Sequence, residues 1–225
     1  MAMPRAALES LLRERKLDVT LTSVQPWVAE SEELRVPIGI ASIDEPLGGG
    51  LRRGQLSEII GPRSSGRTSI LCSLFAAATR RGEVVALVDT HDRFDPASAA
   101  QAGVDLSRLL WIRERGDAAR ALKGMNLVLQ AGGFGIVAFD LADVPALTIR
   151  QFPYTTWMRI ARVIEGSETV AMVIGAEHIA RSPGGVTIAL DARGDAARAA
   201  WSGGCDRARV LRAIDIHPRV VAART

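Results

Sequence analysis

Cysteines, aromatic residues and long apolar runs are all scarce in this sequence of 225 residues. The two cysteines, Cys72 and Cys205, lie far apart and fit none of the short spacings of metal sites, so we predict no metal site. Aromatic residues make up 4% of the chain, too few to indicate a surface on which the bases of a single strand would stack. No apolar run approaches the roughly 20 residues that a membrane span requires.

The amino terminus lacks the apolar centre of a secretory signal, because Pro4, Arg5 and Glu9 interrupt it. We therefore expect a cytoplasmic protein without a membrane partner. Lysine is nearly absent, with Lys16 and Lys123 the two examples, and the formal net charge is +3. An arginine-rich basic balance suits contact with nucleic acid, although a GC-rich genome gives the same composition.

The first 37 residues differ in pattern from the rest. Four apolar residues recur at helical spacing: Ala7, Leu8, Leu11 and Leu12. They predict a short amphipathic helix, and alternation over residues 17–21 predicts a strand after it. The polar stretch from Pro26 to Pro37 predicts a linker, so we divide the chain into an appendage, residues 1–37, and a core, residues 38–225. The helix needs a surface that covers its apolar face, either on a neighbouring subunit or on its own core.

Strands and helices alternate in the core. The predicted strands are apolar runs that cover residues 56–60, 84–88, 109–112, 136–139 and 170–174. Helical patterns cover residues 68–79, 117–130 and 157–164. This order predicts an α/β fold with a mostly parallel sheet flanked by helices. Short segments at 186–192, 198–202 and 209–216 predict an antiparallel extension of the C-terminal edge.

One motif carries chemistry. The sequence GPRSSGRT, residues 61–68, follows a predicted strand and begins a helix, which is where a phosphate-binding loop is found. Its pattern differs from the usual G-x-x-x-x-G-K-[ST], because Arg67 occupies the lysine position. An ordinary turn between a strand and a helix is the alternative. The candidate nucleotide-binding residues are Gly61, Ser64, Ser65, Gly66, Arg67, Thr68 and Ser69, with Asp140 at the end of a later strand.

The segments around this loop resemble the RecA family. The residues that match the family's approach to its loop are Asp44, Gly48, Gly49, Gly50, Gly54, Glu58, Gly61 and Pro62. Residues 88–96 and 103–105 resemble its second conserved block, and residues 135–140 resemble its Walker B strand, whose aspartate lies near magnesium. The resemblance covers residues 36–217 and implies a RecA-like P-loop core.

The sequence also departs from the family at functional positions. Arg67 replaces the phosphate lysine, His91 replaces the glutamate that activates water, and Ser98 replaces an aromatic residue that stacks on adenine. A short segment, residues 175–185, stands where the family has a long DNA-binding loop. These departures imply a degenerate ATPase that is not an enzyme, with no confident catalytic residue. Binding of ATP and Mg²⁺ is left open, and we expect contact with DNA to be weak or indirect.

A narrower similarity concerns the turn at residues 48–58, which is similar to that of short RecA-like proteins of the ImuA type. It implies a non-catalytic accessory protein in DNA repair and SOS-type translesion mutagenesis. The implied partners are a RecA-type recombinase, which Ala7, Leu8, Leu11 and Leu12 would contact, and an ImuB-like polymerase subunit. Two alternatives remain: a slow DNA-dependent ATPase or recombinase paralog with altered roles for Arg67 and His91, and a SulA-like inhibitor of cell division.

Other residues allow two interpretations each. Trp157 and Trp201 are candidates for contact anchors, although packing in the core or at its edge is the simpler expectation. Arg150, Arg159 and Arg162 predict a basic helix face that meets phosphate or acidic partners, or that is solvated.

Overall fold

A computed structural model describes residues 34–180, 185–190, 198–202, 210–215 and 218–222. The predicted amino-terminal helix with Ala7, Leu8, Leu11 and Leu12 lies outside these residues, as does Cys205. The boundary that we placed between residues 37 and 38 stays a prediction. Val36 precedes that boundary and is fully buried in the core.

The described elements alternate as the sequence predicts. The strands are β1 (Arg35–Val36), β2 (Leu51–Arg52), β3 (Leu56–Ile60), β4 (Val85–Asp89), β5 (Leu109–Arg113), β6 (Ile136–Asp140), β7 (Val170–Gly175), β8 (Val186–Leu190), β9 (Arg198–Ser202), β10 (Val210–Asp215) and β11 (Pro218–Ala222). The helices are α1 (Ala41–Asp44), α2 (Arg67–Arg80), α3 (Pro96–Gln101), α4 (Ala118–Ala131), α5 (Ala146–Arg150) and α6 (Tyr154–Ile164). Among these helices, none has the length and apolar character that crossing a bilayer would need.

Seven strands form the main sheet, in the order β11-β8-β3-β7-β6-β4-β5. All neighbouring pairs from β8 to β5 are parallel, and β11 pairs antiparallel with β8. The predicted α/β fold with a mostly parallel sheet is therefore confirmed. Parallel strands are joined by crossover connections that usually contain a helix, which explains why apolar runs alternate with helical patterns along the chain.

The C-terminal edge differs in detail from the predicted antiparallel extension. Strand β8 is parallel to β3, whereas β9 and β10 pair only with each other among the described strands. The antiparallel edge strand is β11, which the sequence pattern did not reveal. Close backbone approach fixes β8 against β3: a Cβ at Gly185 would overlap the Leu56 carbonyl, and the Val186 N–H donates to Ser57 Oγ at 3.2 Å. Hydrophobic alternation predicts a strand but does not identify its partner.

Helices cover both faces of the sheet. Helix α2 buries one apolar side, which includes Leu74 and Phe75, in the cluster on the first face. Helices α4 and α6 cover the other face with Met125, Trp157 and Ile160. Trp157 is 3% exposed, so it packs in the core and is not a surface anchor. The side chain of Trp201 is outside the described part of the structure.

A compact ion cluster ties the amino ends of the strands together. The Glu83 carboxylate accepts hydrogen bonds from Arg53 NH2 at 2.9 Å and from Arg81 Nε at 2.8 Å. Arg53 NH1 also donates to the Glu168 carbonyl at 2.6 Å, which links the start of β7 to the start of β3. Gly135 leaves room for the carboxylate, since a Cβ there would overlap it. Burial alone would raise the pKa of Glu83, but the hydrogen bonds and charges of the two arginines outweigh it and lower the pKa.

We expect Glu83→Gln to lower the free energy of unfolding by about 1–3 kcal/mol at pH 7, because the largely buried guanidinium of Arg53 and the more exposed one of Arg81 lose their charged acceptor. The lowered pKa means that wild type holds this advantage above about pH 4.3 and loses it as Glu83 becomes protonated in the folded state. Denaturant unfolding from pH 3 to pH 8 measures both effects. Glu45→Gln, a change of an exposed carboxylate, is the control. Equal stability of wild type and Glu83→Gln at pH 7 would contradict the role of this cluster.

Candidate nucleotide-binding site

The carboxyl ends of four parallel strands form one row across the sheet. Ile60 pairs in register with Gly175, Ile174 pairs with Asp140, and Asp140 pairs with Asp89. Ligands of open α/β sheets bind outside this end of the strands. The loop that follows β3 therefore lies at the same edge as the aspartates that end β4 and β6.

The loop between β3 and α2 has the backbone conformation of an anion-binding turn. Ser64 has a φ of +60° and Gly66 a φ of +96°, and α2 begins directly afterwards without a side-chain cap. The first N–H groups of a helix have no partners within the helix, so an uncapped start favours an anion. Gly61 fits closely, since a Cβ there would lie 2.7 Å from both the Leu190 carbonyl and Ser65 Oγ. This is the setting that the sequence motif predicts.

Two buried hydroxyl groups near this edge lack a hydrogen-bond partner within the described part of the chain. They are Ser65 Oγ in the loop and Thr90 Oγ1 directly after β4. A buried hydroxyl without a partner costs about 1–3 kcal/mol, so its persistence points to a group that satisfies it when bound. Thr68 and Ser69 are exposed on the first turn of α2. The residues present therefore fit a bound phosphate.

Arg67 lies at the base of the loop and is 8% exposed. Its NH1 donates to the Gly175 carbonyl, 2.9 Å away, at the end of β7. Burial lowers the pKa of Arg67, the charges of Asp140 and Asp143 oppose this effect, and Arg63 adds to it. An arginine nevertheless stays charged in proteins, so the loop keeps the positive charge that lysine usually supplies.

Asp140 ends β6 and accepts a hydrogen bond from the Ala142 N–H at 2.8 Å. Burial raises its pKa to about 6; the charges of Asp89 and Asp143 add to the rise, and the Ala142 N–H and Arg67 oppose it. Carboxylate oxygens are the ligands that Mg²⁺ prefers. Because burial disfavours the ionised form of Asp140, a nearby cation would stabilise this carboxylate strongly.

A second arginine of the loop, Arg63, pairs with an acid that the sequence analysis missed. Arg63 Nε and NH2 lie 3.1 and 2.8 Å from Asp143 Oδ1, in the segment after β6. The Arg63 side chain is 80% exposed, so it is free to adopt other positions at little cost. Spacing could not reveal this pair, because β7 separates β3 from β6 in the sheet.

Asp89 is a structural residue of the loop after β4. It is 1% exposed, and its carboxylate accepts from the backbone N–H groups of His91 and Phe94 at 3.3 and 2.8 Å. Trp111 Nε1 donates to the same carboxylate at 3.3 Å. These bonds fix the path of residues 90–94 above the sheet.

His91, the altered catalytic position, lies in this fixed loop. Its ring is beside Gly116, where a Cβ would be 3.7 Å from Nε2. Asp92 has a φ of +57° and pairs with Arg113 through contacts of 2.7 and 2.8 Å. The hydrogen bonds and charge of Arg113 lower the pKa of Asp92, so the neighbouring acid is already engaged and does not replace the missing glutamate.

Ser98 stands where the family places an aromatic residue, and here it belongs to a helix cap. Asp95 caps α3 by accepting from the Ala97 and Ser98 N–H groups at 3.2 and 3.1 Å. The Ser98 hydroxyl donates to the same carboxylate. Ser98 is therefore part of the local cap and offers no flat surface to an adenine ring.

The segment after β7 is tied to the sheet by a buried carboxylate. Glu58 is 2% exposed and accepts from the Ile179 N–H at 3.2 Å and from the Ala180 N–H. His178 Nδ1 lies 3.3 Å from the same carboxylate. Burial raises the pKa of Glu58, and the Ala180 N–H and His178 oppose that rise. The compact turn that we expected over residues 175–185 stays a prediction, because residues 181–184 lie outside the described part of the chain.

Comparison with known proteins shows that the chain is similar to RecA proteins of several bacteria. The chain is 31% identical over 150 residues to Protein RecA of Arthrobacter sp. (strain FB24), a match that covers 61% of this chain and 42% of the relative. It is 33% identical to Protein RecA of Salinispora tropica over 150 residues, with the same coverage of 61% and 42%. For Protein RecA of Methylococcus capsulatus the identity is 38% over 114 residues, 50% of this chain and 32% of the relative. The matches thus span about two fifths or less of these relatives.

These relatives correct one prediction. We expected the chain not to be an enzyme, and this is wrong, because RecA proteins are ATPases and recombinases and the relationship points to an enzyme. The substitutions at Arg67 and His91 were given too much weight. The structure keeps a positively charged side chain, Arg67, in the loop and the carboxylate of Asp140 at the same edge of the sheet.

The family model of the RecA N-terminal domain matches residues 26–151, more than half of the chain. This range runs from before β1 to the end of α5 and contains the loop, Asp89 and Asp140. The narrower likeness to ImuA-type proteins stays a prediction. The resemblance to RecA that the sequence motifs indicate is confirmed, and the chain belongs to the RecA family.

Proposed function

We propose that this chain is a slow ATPase of DNA repair that uses a modified RecA-type phosphate site. One observation carries the proposal. The uncapped start of α2 and the unsatisfied Ser65 hydroxyl just before it lie at the same sheet edge as Asp140, whose ionised carboxylate is disfavoured by burial. An anion site and a cation site at one edge match the two charges of a nucleotide–magnesium complex.

The residues divide this work between them. Backbone N–H groups at the uncapped start of α2 and the Thr68 hydroxyl would hold the phosphates, and Asp140 would hold magnesium. Bound magnesium supplies charge neutralisation to the phosphate oxygens. Arg67 offers a guanidinium with five donors, one of which the Gly175 carbonyl engages. Its planar group cannot take the position of a compact ammonium, which is one reason that we expect slow turnover.

The second reason is the identity of the proton acceptor. His91 occupies the position of the family's glutamate, and Asp92 is committed to Arg113. Histidine accepts a proton near neutral pH and serves as a general base in many enzymes. We assign this altered role to His91, in a loop whose backbone Asp89 holds in place.

We further propose that the chain works as an accessory to a RecA-type recombinase and an ImuB-like polymerase subunit in the response to DNA damage. Membership of the RecA family and the ImuA-like turn at residues 48–58 support this role. The amphipathic pattern of Ala7, Leu8, Leu11 and Leu12 supports a docking segment.

Purified protein should release phosphate from ATP slowly in the presence of single-stranded DNA and Mg²⁺. Arg67→Ala and Asp140→Asn should each lower the rate by about 10²-fold or more, because each removes a charge that acts on the phosphates. Arg67→Lys should keep or raise the rate, since lysine restores the compact cation.

Arg80→Ala, which removes an exposed arginine at the end of α2, is the control for general effects. Turnover that survives Asp140→Asn unchanged would belong to a contaminant. No turnover above the blank would refute the proposed activity.

The accessory role predicts that Leu8→Asp/Leu12→Asp abolishes co-purification with the host recombinase and lowers damage-induced mutation frequency. Two charges placed in an apolar contact should cost several kcal/mol of binding free energy. Leu106→Asp/Leu147→Asp, which changes two exposed leucines elsewhere in the chain, is the matched control. Thermal unfolding distinguishes loss of docking from loss of folding, because a large drop in Tm would show that the helix packs on its own core. Normal binding of the recombinase by a variant that stays folded would refute docking.

A further inference from the structure

Helix α6 carries two arginines, Arg159 and Arg162, that line grooves on both sides of the helix. Neither has an ion-pair partner among the described residues. Arg150, which the sequence grouped with them, lies on α5 and pairs with Glu177 at 3.5 Å. The basic face of α6 therefore consists of Arg159 and Arg162, one turn apart.

Apolar and polar side chains together line each of the two grooves. The first, about 610 Å³, lies between α6 and the start of β3 and includes Leu56 and Met158. The second, about 450 Å³, lies between α4 and α6 and includes Leu122 and Val163. We call the two grooves with the arginines between them the α6 face.

Exposed apolar side chains lie on the same helix as the arginines and line the same grooves. Met158 is 38% exposed and Val163 is 41% exposed. Within the described structure, the buried Gln55 Oε1 at the first groove also lacks a hydrogen-bond donor. Apolar side chains next to cations, with a polar atom in need of a donor, are typical of a surface that is covered by a partner.

The α6 face is separate from the nucleotide site. Its first groove is lined by residues 54–56, at the amino end of β3, whereas the phosphate loop follows Ile60 at the carboxyl end. Five residues of extended strand, roughly 16 Å, lie between the two ends. Changes on this face can therefore be tested without altering the groups that we place in phosphate binding.

We propose that the α6 face binds an acidic amphipathic segment of a partner protein. Carboxylates of the segment pair with Arg159 and Arg162, whose planar groups bind carboxylates in bidentate fashion. Apolar side chains of the segment enter the two grooves beside Met158 and Val163. A helix that lays its apolar side into such a groove is a common mode of peptide recognition.

The charges on the α6 face argue against two other ligands, a second copy of this chain and nucleic acid. The first 16 residues of a second copy, which contain the predicted helix, carry four cations (Arg5, Arg13, Arg15, Lys16) against two carboxylates (Glu9, Glu14), so the arginines would repel this helical segment. Nucleic acid calls for a run of cations along its phosphates. The residues that line the two grooves include two arginines and one acid, Glu165, with apolar and uncharged residues between them.

The test uses a fluorescent synthetic helix with leucine at positions i, i+3, i+4 and i+7 and glutamate at the flanking positions. Wild type should bind it, and Arg159→Glu/Arg162→Glu should bind about tenfold or more weakly, because two attractive pairs become repulsive. The same peptide with lysine for glutamate should reverse this order and bind the variant better than wild type. Arg80→Glu/Arg115→Glu, on two exposed arginines elsewhere, is the matched control and should bind like wild type.

Three results would overturn the proposal. The first is that the acidic peptide binds wild type and Arg159→Glu/Arg162→Glu equally, while circular dichroism shows both proteins folded. The second is that a DNA oligonucleotide, and not the peptide, loses binding in this variant, which would assign the face to nucleic acid. The third is that the variant abolishes self-association in sedimentation, which would assign the face to a second copy.

Discussion

The fold buries a carboxylate, Asp140, at a point where two other acids are close, and the site depends on how this charge is held. Burial and the charges of Asp89 and Asp143 raise the pKa of Asp140 to about 6. Arg67 and the Ala142 N–H compensate only in part. Unfavourable buried charges of this kind are common at functional sites, where a protein keeps a reactive group at the expense of stability. A positive charge beside Asp140 would relieve it, and the Mg²⁺ of the nucleotide complex that we propose would supply one.

The alignment of the strands creates this arrangement. Parallel pairing places the ends of β3, β7, β6 and β4 in one row, and Arg67 reaches across from the loop to the Gly175 carbonyl. Glu58 then holds the segment that follows β7 through its backbone N–H groups. A change at the phosphate loop therefore has a direct hydrogen-bonded connection to residues 175–180, the region where the family has its DNA-binding loop.

The sequence could predict the parts of the site that depend on local pattern. Glycine spacing and apolar periodicity predict the loop at residues 61–68, the strand that leads to Asp140 and a helix over residues 68–79, which the structure extends to Arg67–Arg80. The pairing of Arg63 with Asp143, the bond from Arg67 to Gly175 and the parallel placement of β8 depend on which strands lie side by side, and periodicity carries no such information. The prediction about activity failed for another reason. Four departures from the family pattern were judged together, without the charges of Arg67 and Asp140 that the fold keeps at this edge of the sheet.

The most direct test of this account is the stability of Asp140→Asn as a function of pH, with and without Mg²⁺-ATP. The folded pKa of about 6 is higher than the unfolded value of about 3.9, so wild type loses stability as pH rises from about 4 to 6. Without ligand at pH 8, Asp140→Asn should be more stable than wild type by about 2–3 kcal/mol, and the difference should vanish near pH 4. Mg²⁺-ATP should then stabilise wild type more than the variant. A variant that is no more stable at pH 8, or that gains as much from Mg²⁺-ATP as wild type, would contradict the role that we assign to Asp140.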